Sequence, residues 1–230
     1  MADDGTGPGY HSPVLTPASP AEIANATYET CRTYGMNASL YAEATLSYAA
    51  FPGIREEVTS FAATVRPGDP VLDLGAGAGR DSTLLAGIGY RVAAADICMP
   101  LLEGLHRSVG GIGVGSIGCI CVDICDLPFS DAAFGGAWAS GSLLHLPSSR
   151  LLQGLSEVFR VLKPNAMAAI SMRAGSGEGW RADGSLEGRR WFTLVEPDKF
   201  IALMREVGFR SLKWRYVGRS GWFLASGQGI

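Results

Sequence analysis

The sequence predicts an α/β protein built on a seven-stranded, mostly parallel sheet, with a C-terminal antiparallel hairpin and helices on both faces. Three observations carry this reading. Across residues 71–172 short apolar runs alternate with amphipathic helical stretches, the pattern of parallel strands joined by helical crossovers. The first run, Val71-Leu72-Asp73-Leu74, stops at Gly75-Ala76-Gly77-Ala78-Gly79, and a helix begins near Arg80 or Asp81. Two strand-like runs close the chain, residues 212–217 and 222–225, on either side of a Gly-Arg-Ser-Gly turn.

Taken in order, residues 1–20 are rich in Pro and Gly and read as a flexible N-terminal arm. Residues 21–50 are helical in character, with Tyr28, Tyr34, Tyr41 and Tyr48 recurring at intervals of six or seven. They form either an aromatic face packed on the core or a lid over a ligand, with Tyr41 the best lid residue. Residues 53–65 read as a helix with an apolar stripe of Ile54, Val58, Phe61, Ala62 and Val65. A Pro-Gly-Asp-Pro turn leads into the opening strand. Then follow a helix at 82–88 ended by Gly89, a strand at 90–95 ending on Asp96, and a helix at 100–109. After a glycine-rich stretch at 110–118 come a strand at 119–122 ending on Asp123 and one at 134–139 ending at Ser140, broken by Gly135-Gly136. A helix at 149–162 stops before Pro164, and a fifth strand covers 166–172. Residues 173–190 are polar and without period; a loop of this length inside a domain is a functional or mobile segment. A helix at 197–207 ended by Gly208 precedes the hairpin. Residues 21–230 read as a single domain, with 21–50 its helical lid and 173–192 a substrate-cap loop.

Bulk composition narrows the function. A net charge of −3 gives no basic field for nucleic acid. No apolar run reaches the roughly 18–20 residues of a membrane span, and the N-terminus lacks the basic-then-apolar pattern of a secretory signal, so a cytoplasmic protein is expected. Five cysteines in a chain of this length do not make a disulfide framework. Cys119, Cys121 and Cys125 lack zinc spacing, and reduced core cysteines, without metal, are expected.

The chemistry lies at the strand ends, because ligands of open α/β sheets sit outside the carboxyl ends of the strands. Glycines at 75, 77 and 79 allow positive φ and keep Cβ atoms away from a ligand. No Gly-Lys-Ser/Thr follows, which excludes a P-loop, and the spacing is not G-x-G-x-x-G. Asp73 before the turn repels a pyrophosphate and attracts an ammonium or sulfonium. Asp96, 17 residues after Gly79, can accept both hydroxyls of a ribose. Asp123 can accept from an adenine amino group while the next backbone N–H donates to the ring.

These segments resemble class I S-adenosylmethionine-dependent methyltransferases. Val71 to Gly79 looks like motif I of that family, Val92-Ala93-Ala94-Ala95-Asp96 its ribose-binding strand end, and Asp123-Ile124-Cys125-Asp126-Leu127-Pro128-Phe129 its adenine-binding segment. Residues 137–147 resemble motif IV, and Val161-Leu162-Lys163-Pro164-Asn165 the turn before the fifth strand. Gly79-Arg80-Asp81-Ser82 and Gly177-Glu178-Gly179 look like a bacterial small-molecule branch. Two departures stand out: Phe134-Gly135 where many members have Phe-Asp, and Asn165 in place of a glycine, a residue that tolerates the left-handed region. The Asn/Asp-Pro-Pro-Tyr/Phe signature of many amino-directed enzymes is absent from motif IV.

The resemblance implies a Rossmann-like fold, S-adenosyl-L-methionine as cofactor with S-adenosyl-L-homocysteine as product, and in-line methyl displacement. It places Tyr41, Asp73, Gly75, Ala76, Gly77, Gly79, Arg80, Asp96, Ile97, Asp123, Ile124 and Ser140 around the cofactor. His145, the one histidine near the crevice, is either a structural cap or a general base. Trp180, Arg181, Arg190, Trp191 and Phe192, with Glu178, are the candidate substrate contacts. The implied acceptor is a small molecule or a peptide, with natural-product tailoring as a setting, and the protein a monomer or homodimer. A silent cofactor-binding regulator and, less in keeping with the charge, an RNA methyltransferase are the alternatives.

Overall fold

The computed structural model describes residues 15–109, 117–182 and 185–230. Its strands are β1 (Val71–Leu74), β2 (Val92–Asp96), β3 (Ile117–Cys121), β4 (Phe134–Ser140), β5 (Leu162–Arg173), β6 (Gly177–Arg181), β7 (Arg190–Leu194), β8 (Arg210–Tyr216) and β9 (Trp222–Gln228). Seven of them form one sheet in the order β3-β2-β1-β4-β5-β9-β8. The β3, β2, β1, β4 and β5 pairings are parallel, and β9 is antiparallel to both β5 and β8. Strand order reverses between β1 and β4, so their carboxyl ends open a crevice at the switch point.

The helices are α1 (Pro20–Ala24), α2 (Ala26–Met36), α3 (Ala38–Thr45), α4 (Ile54–Ala62), α5 (Arg80–Ile88), α6 (Met99–Val109), α7 (Ser148–Val161) and α8 (Pro197–Val207). Two apolar clusters cover the two faces of the sheet. One joins Leu72, Leu74 and Ile170 to Leu151, Leu155 and Val158 of α7 and Phe200 and Met204 of α8. The other joins Val71, Val92 and Trp138 to Ile54, Val58 and Phe61 of α4 and Leu85 of α5. The α4 stripe is the one its helical spacing predicts. None of the described helices is long and apolar enough to cross a membrane.

Several elements differ from expectation. Gly135-Gly136 does not break β4; a Cβ on Gly135 would lie 2.4 Å from Asp69 Cβ, and one on Gly136 2.7 Å from Val65 Cγ2. The glycines let the preceding turn press on the strand. Asp69 brings its carboxylate to this end of the sheet and pairs with Lys163 Nζ at 2.6 Å. The strand β5 begins at Leu162 and runs through Asn165, which takes φ 64° in the left-handed region. β3 ends at Cys121, so Asp123 lies beyond the strand and not on its last residue.

The stretch 173–192 is a correction. It is not a loop: β6 and β7 pair antiparallel as a separate two-stranded sheet. Trp180 and Trp191 are 2% and 1% exposed and meet edge to face, 5.2 Å between centroids, against Ala26 and Ile23 of the N-terminal helices. The arm expected at 1–20 is described only from residue 15, and Thr16 pairs with Trp180 through two backbone hydrogen bonds of 2.8 and 2.9 Å. The described part of the arm is therefore docked. The recurring tyrosines do not share a face, because the helical stretch breaks at Asn25 and Asn37: Tyr28 is 65% exposed, Tyr34 and Tyr41 meet over the crevice, and Tyr48 bonds to Asp81. Of the cysteines, Cys98 and Cys125 are buried, whereas Cys121 is exposed on β3. Most of the glycine-rich stretch 110–118 lies outside the described residues.

Candidate active site

The glycine turn is built to stay where it is. Gly75, Gly77 and Gly79 all have positive φ. A Cβ on Gly75 would lie 2.2 Å from Ser142 Cβ, and one on Gly79 2.2 Å from Leu105 Cδ1, so packing alone demands glycine at both. Gly77 differs: the nearest atom to its would-be Cβ is Tyr41 Cε1 at 3.4 Å, and the residue lines the crevice. Four of the turn's five N–H groups are spent internally. Those of Gly75 and Ala76 donate to the Ala95 carbonyl, that of Gly77 to Asp96 Oδ2 at 2.8 Å, and that of Gly79 to the Ala76 carbonyl. Such a turn offers little to a pyrophosphate, in agreement with the sequence argument against one.

Asp96 ends β2 and faces the crevice, its carboxylate steered by N–H groups of Gly77 and Cys98, each at 2.8 Å. Burial raises its pKa, and the N–H donors of Cys98, Gly77 and Ile97 oppose the rise. Asp123 is oriented by the Cys125 N–H at 2.9 Å and by Arg150 at 3.0 Å. Ile97, Ile124, Cys31 and Cys98 supply apolar walls to the same compartment. A hydrogen bond from the Cys98 thiol holds the Cys31 thiol below its ordinary pKa. The compartment, open mouth included, encloses about 720 Å³. Two carboxylates with acceptor capacity to spare, apolar walls and one glycine left uncovered fit an adenosine moiety, its hydroxyls toward Asp96 and its ring beside Asp123 and Ile124.

Asp73 lies deeper. It is 2% exposed and accepts from Ser82 Oγ at 2.5 Å. Burial and the nearby Asp81 carboxylate push it up to about 7. Asp81 is itself held by Arg80 at 2.7 Å, by the Tyr48 hydroxyl at 3.0 Å and by Trp138 Nε1 at 2.9 Å. A small recess lined by Asp73, Ala76, Arg80 and Ser140 connects this network to Gly75 and Tyr41.

A second, larger compartment of about 1150 Å³ lies beside the first. Arg181, Arg190 and Phe192 line it, as do Arg80, Arg173, Arg219 and Trp222. The two compartments share Tyr34, Tyr41, Ser140, Gly141 and His145, which form a collar between them. His145 is pinned at both ring nitrogens. Nδ1 is 2.6 Å from the Trp191 carbonyl, which only accepts, so Nδ1 carries the proton in the neutral ring; Nε2 then accepts from the Tyr34 hydroxyl at 2.9 Å. Arg190 donates to the same hydroxyl at 3.1 Å. Burial raises the pKa of Tyr41, which stacks edge-on with Tyr34 at 4.9 Å.

The expected site residues thus divide. Tyr41, Gly75, Gly77, Asp96, Ile97, Asp123, Ile124, Ser140 and His145 meet in the first compartment, and Asp73, Ala76 and Arg80 sit behind it. Gly79 serves packing against Leu105. Arg181, Arg190 and Phe192 face the second compartment, but Trp180 and Trp191 do not; they are buried anchors of the β6–β7 hairpin. Glu178 is spent on α7, where it accepts from Ser148 N–H and Oγ at 2.6 and 2.8 Å. Sequence reasoning missed Arg173, Arg219 and Trp222. Their one signal is position, since Arg173 and Trp222 are paired residues at the crevice end of β5 and β9.

Residues 71–165 match the family model described as methyltransferase domain. A demethylmenaquinone methyltransferase of Corynebacterium urealyticum is 40% identical over 106 residues, 46% of this chain and 42% of that protein. The matches to it and to two further curated relatives span 40–57% of their lengths. Among solved structures, the 1,6-didemethyltoxoflavin-N1-methyltransferase of Burkholderia thailandensis, with bound 1,6-didemethyltoxoflavin and S-adenosylhomocysteine, aligns with TM-score 0.67 at 20% identity over 95% of this chain and 94% of that one. The [4+2]-cyclase SpnF aligns with TM-score 0.71 at 16% identity over 95% and 99%.

Proposed function

We propose that the chain carries a class I S-adenosylmethionine-dependent methyltransferase domain and transfers a methyl group from S-adenosylmethionine to a small molecule held in the second compartment. The collar carries this reading: five residues border both compartments, so a donor in one and an acceptor in the other meet there without crossing solvent. S-adenosylmethionine supplies a methyl group already activated on a sulfonium. What the chain adds is alignment and exclusion of water. Asp96 and Asp123 fix the nucleoside end, Gly77 and Tyr41 flank it, and the recess by Asp73 receives the cationic amino-acid end. The enclosure of the second compartment by α3 and the β6–β7 hairpin favours a small ring-bearing acceptor over an extended peptide, and natural-product tailoring is a fitting context.

In this reading His145 takes a proton through Tyr34, a fellow collar residue whose hydroxyl donates to Nε2. An acceptor hydroxyl donating to Tyr34 Oη would pass its proton along that bond to Nε2. Isothermal calorimetry with S-adenosylmethionine, followed by a turnover screen over phenols, carboxylates and heterocyclic amines, tests the assignment. Nanomolar to micromolar binding with methylated product supports transfer; absence of cofactor binding sinks it. A second reading, cofactor binding without methyl transfer, draws on the likeness to the cyclase, which shares this fold but has another reaction in its name. Binding without product across the whole panel would favour it.

A further inference from the structure

The second compartment is lined by five arginines, Arg80, Arg173, Arg181, Arg190 and Arg219, and by no Asp or Glu among the described residues. Arg80 is neutralised by Asp81. Arg173 and Arg219 are different. Each has a buried Nε with no hydrogen-bond partner among the described residues. Both lie over the Trp222 ring, Arg219 at 3.9 Å from its centroid and Arg173 at 5.9 Å, and Arg219 also lies 5.4 Å from Phe51. The acids that act on Arg219 are Glu57, already bridged to Arg215 at 3.6 Å, and Asp81, already paired with Arg80. A buried donor without an acceptor is costly. Burial and the charge of Arg80 pull Arg219 down to about 10.

The pair is close to the collar. A Cβ added to Gly141, a collar residue with φ 68°, would lie 3.2 Å from the Trp222 ring. Trp222 thus abuts the collar at Gly141 and carries the two arginines over its ring, so a group held by them lies beside the collar. We propose that the methyl acceptor carries an anionic group, a carboxylate or phosphate, on an aromatic or apolar body, and that Arg173 and Arg219 hold that group. The inference rests on the second compartment being the acceptor site. The forks of the two guanidinium groups match the planar oxygens of a carboxylate, and an anion there gives the orphaned donors an acceptor.

Calorimetric titration of the full chain with 2-naphthoate, 2-naphthyl phosphate and the neutral 2-naphthalenemethanol, each with and without saturating S-adenosylhomocysteine, tests this. The expected result is that at least one anion binds about tenfold or more tightly than the alcohol. Arg219→Gln and Arg173→Gln should each abolish that preference and leave the alcohol and S-adenosylhomocysteine affinities within about twofold, while Arg219→Lys retains part of it. The relative strength of the two anions distinguishes carboxylate from phosphate recognition. Equal binding of the anions and the alcohol, no binding of any of them, or an unchanged preference in both glutamine variants overturns the proposal. So does a loss of S-adenosylhomocysteine affinity in those variants, which would assign the arginines to the cofactor. Failure of S-adenosylhomocysteine to bind the unaltered chain counts against the methyltransferase reading instead, and the arms without it still report anion binding.

Discussion

Gly75 and Gly77 lie two residues apart and answer to different constraints. Gly75→Ala drives a methyl group into Ser142 at a positive φ, and should cost about 3 kcal/mol or more of stability in urea unfolding. Gly77→Ala meets only the edge of Tyr41 and should cost about 1–2 kcal/mol of backbone strain, while weakening S-adenosylhomocysteine binding by about tenfold or more in calorimetry. Equal stability losses for the two would contradict the packing argument. Asp73 makes a pH-dependent prediction. Its carboxyl ionises near 3.8 in an unfolded chain and near 7 in the fold, so between those values the native state keeps a proton that the unfolded state has lost. Stability therefore falls as pH rises from about 4 to about 7 and levels off above, with a slope of at most about 1.4 kcal/mol per pH unit. Asp73→Asn should flatten that fall in denaturant titrations at several pH values; parallel curves for variant and parent would show that Asp73 is not its source. At His145, replacement by Ala should lower kcat by about a hundredfold if the ring takes the proton, and Tyr34→Phe should lower it comparably. Near-normal turnover in both would reduce the pair to a tie between motif IV and the hairpin.

At the scale of elements, the β6–β7 hairpin and α1–α2 form one panel. Trp180 and Trp191 bury themselves against Ala26, Trp191 N–H donates to Thr30 Oγ1 at 2.9 Å, and Thr33 Oγ1 donates to the Arg189 carbonyl at 2.7 Å. Trp180→Ala should then raise hydrogen exchange in residues 20–36 and 177–194 together and leave β1 and β4 protected. A uniform rise over the whole sheet would mean that the panel is no separate unit. This panel also marks where the sequence becomes hard to read. The inner strands β1, β2 and β4 are short, largely buried runs that stop at an acid or next to a Gly, and they are visible for that reason. β6 carries one apolar residue, Trp180, between Gly179 and Arg181, and among the described residues the two strands pair only with each other and with Thr16. Nothing local distinguishes β6 from a polar loop, whereas Trp191-Phe192-Thr193-Leu194 of β7 has strand character that the reading as a loop passed over. The aromatic residues are recognisable as important, but whether an indole faces a ligand or a helix depends on partners as far as 161 residues away in the chain.

For the whole molecule, the sheet order and the two-faced core follow from the alternation of strands and helices, and most of the first compartment follows from residues at strand ends. The second compartment does not, because it gathers Leu40, Phe51, Arg173, Phe192 and Arg219 from separate parts of the chain. Cofactor binding should be visible globally: S-adenosylhomocysteine at about 100 times its Kd adds about 2.7 kcal/mol to unfolding free energy, and Asp96→Ala should remove most of that gain by freeing the Gly77 and Cys98 N–H groups as well as losing the hydroxyl contact. A thermal shift in Asp96→Ala equal to the parent's would deny Asp96 its place. The collar has a consequence of another kind. Tyr34, Tyr41, Ser140, Gly141 and His145 belong to both cavities, so whatever one occupant does to stiffen or displace them is felt by the other. Thermodynamic reciprocity then requires the acceptor to change the donor's affinity by the same factor by which the donor changes the acceptor's, and a collar substitution will disturb both Kd values and their coupling at once.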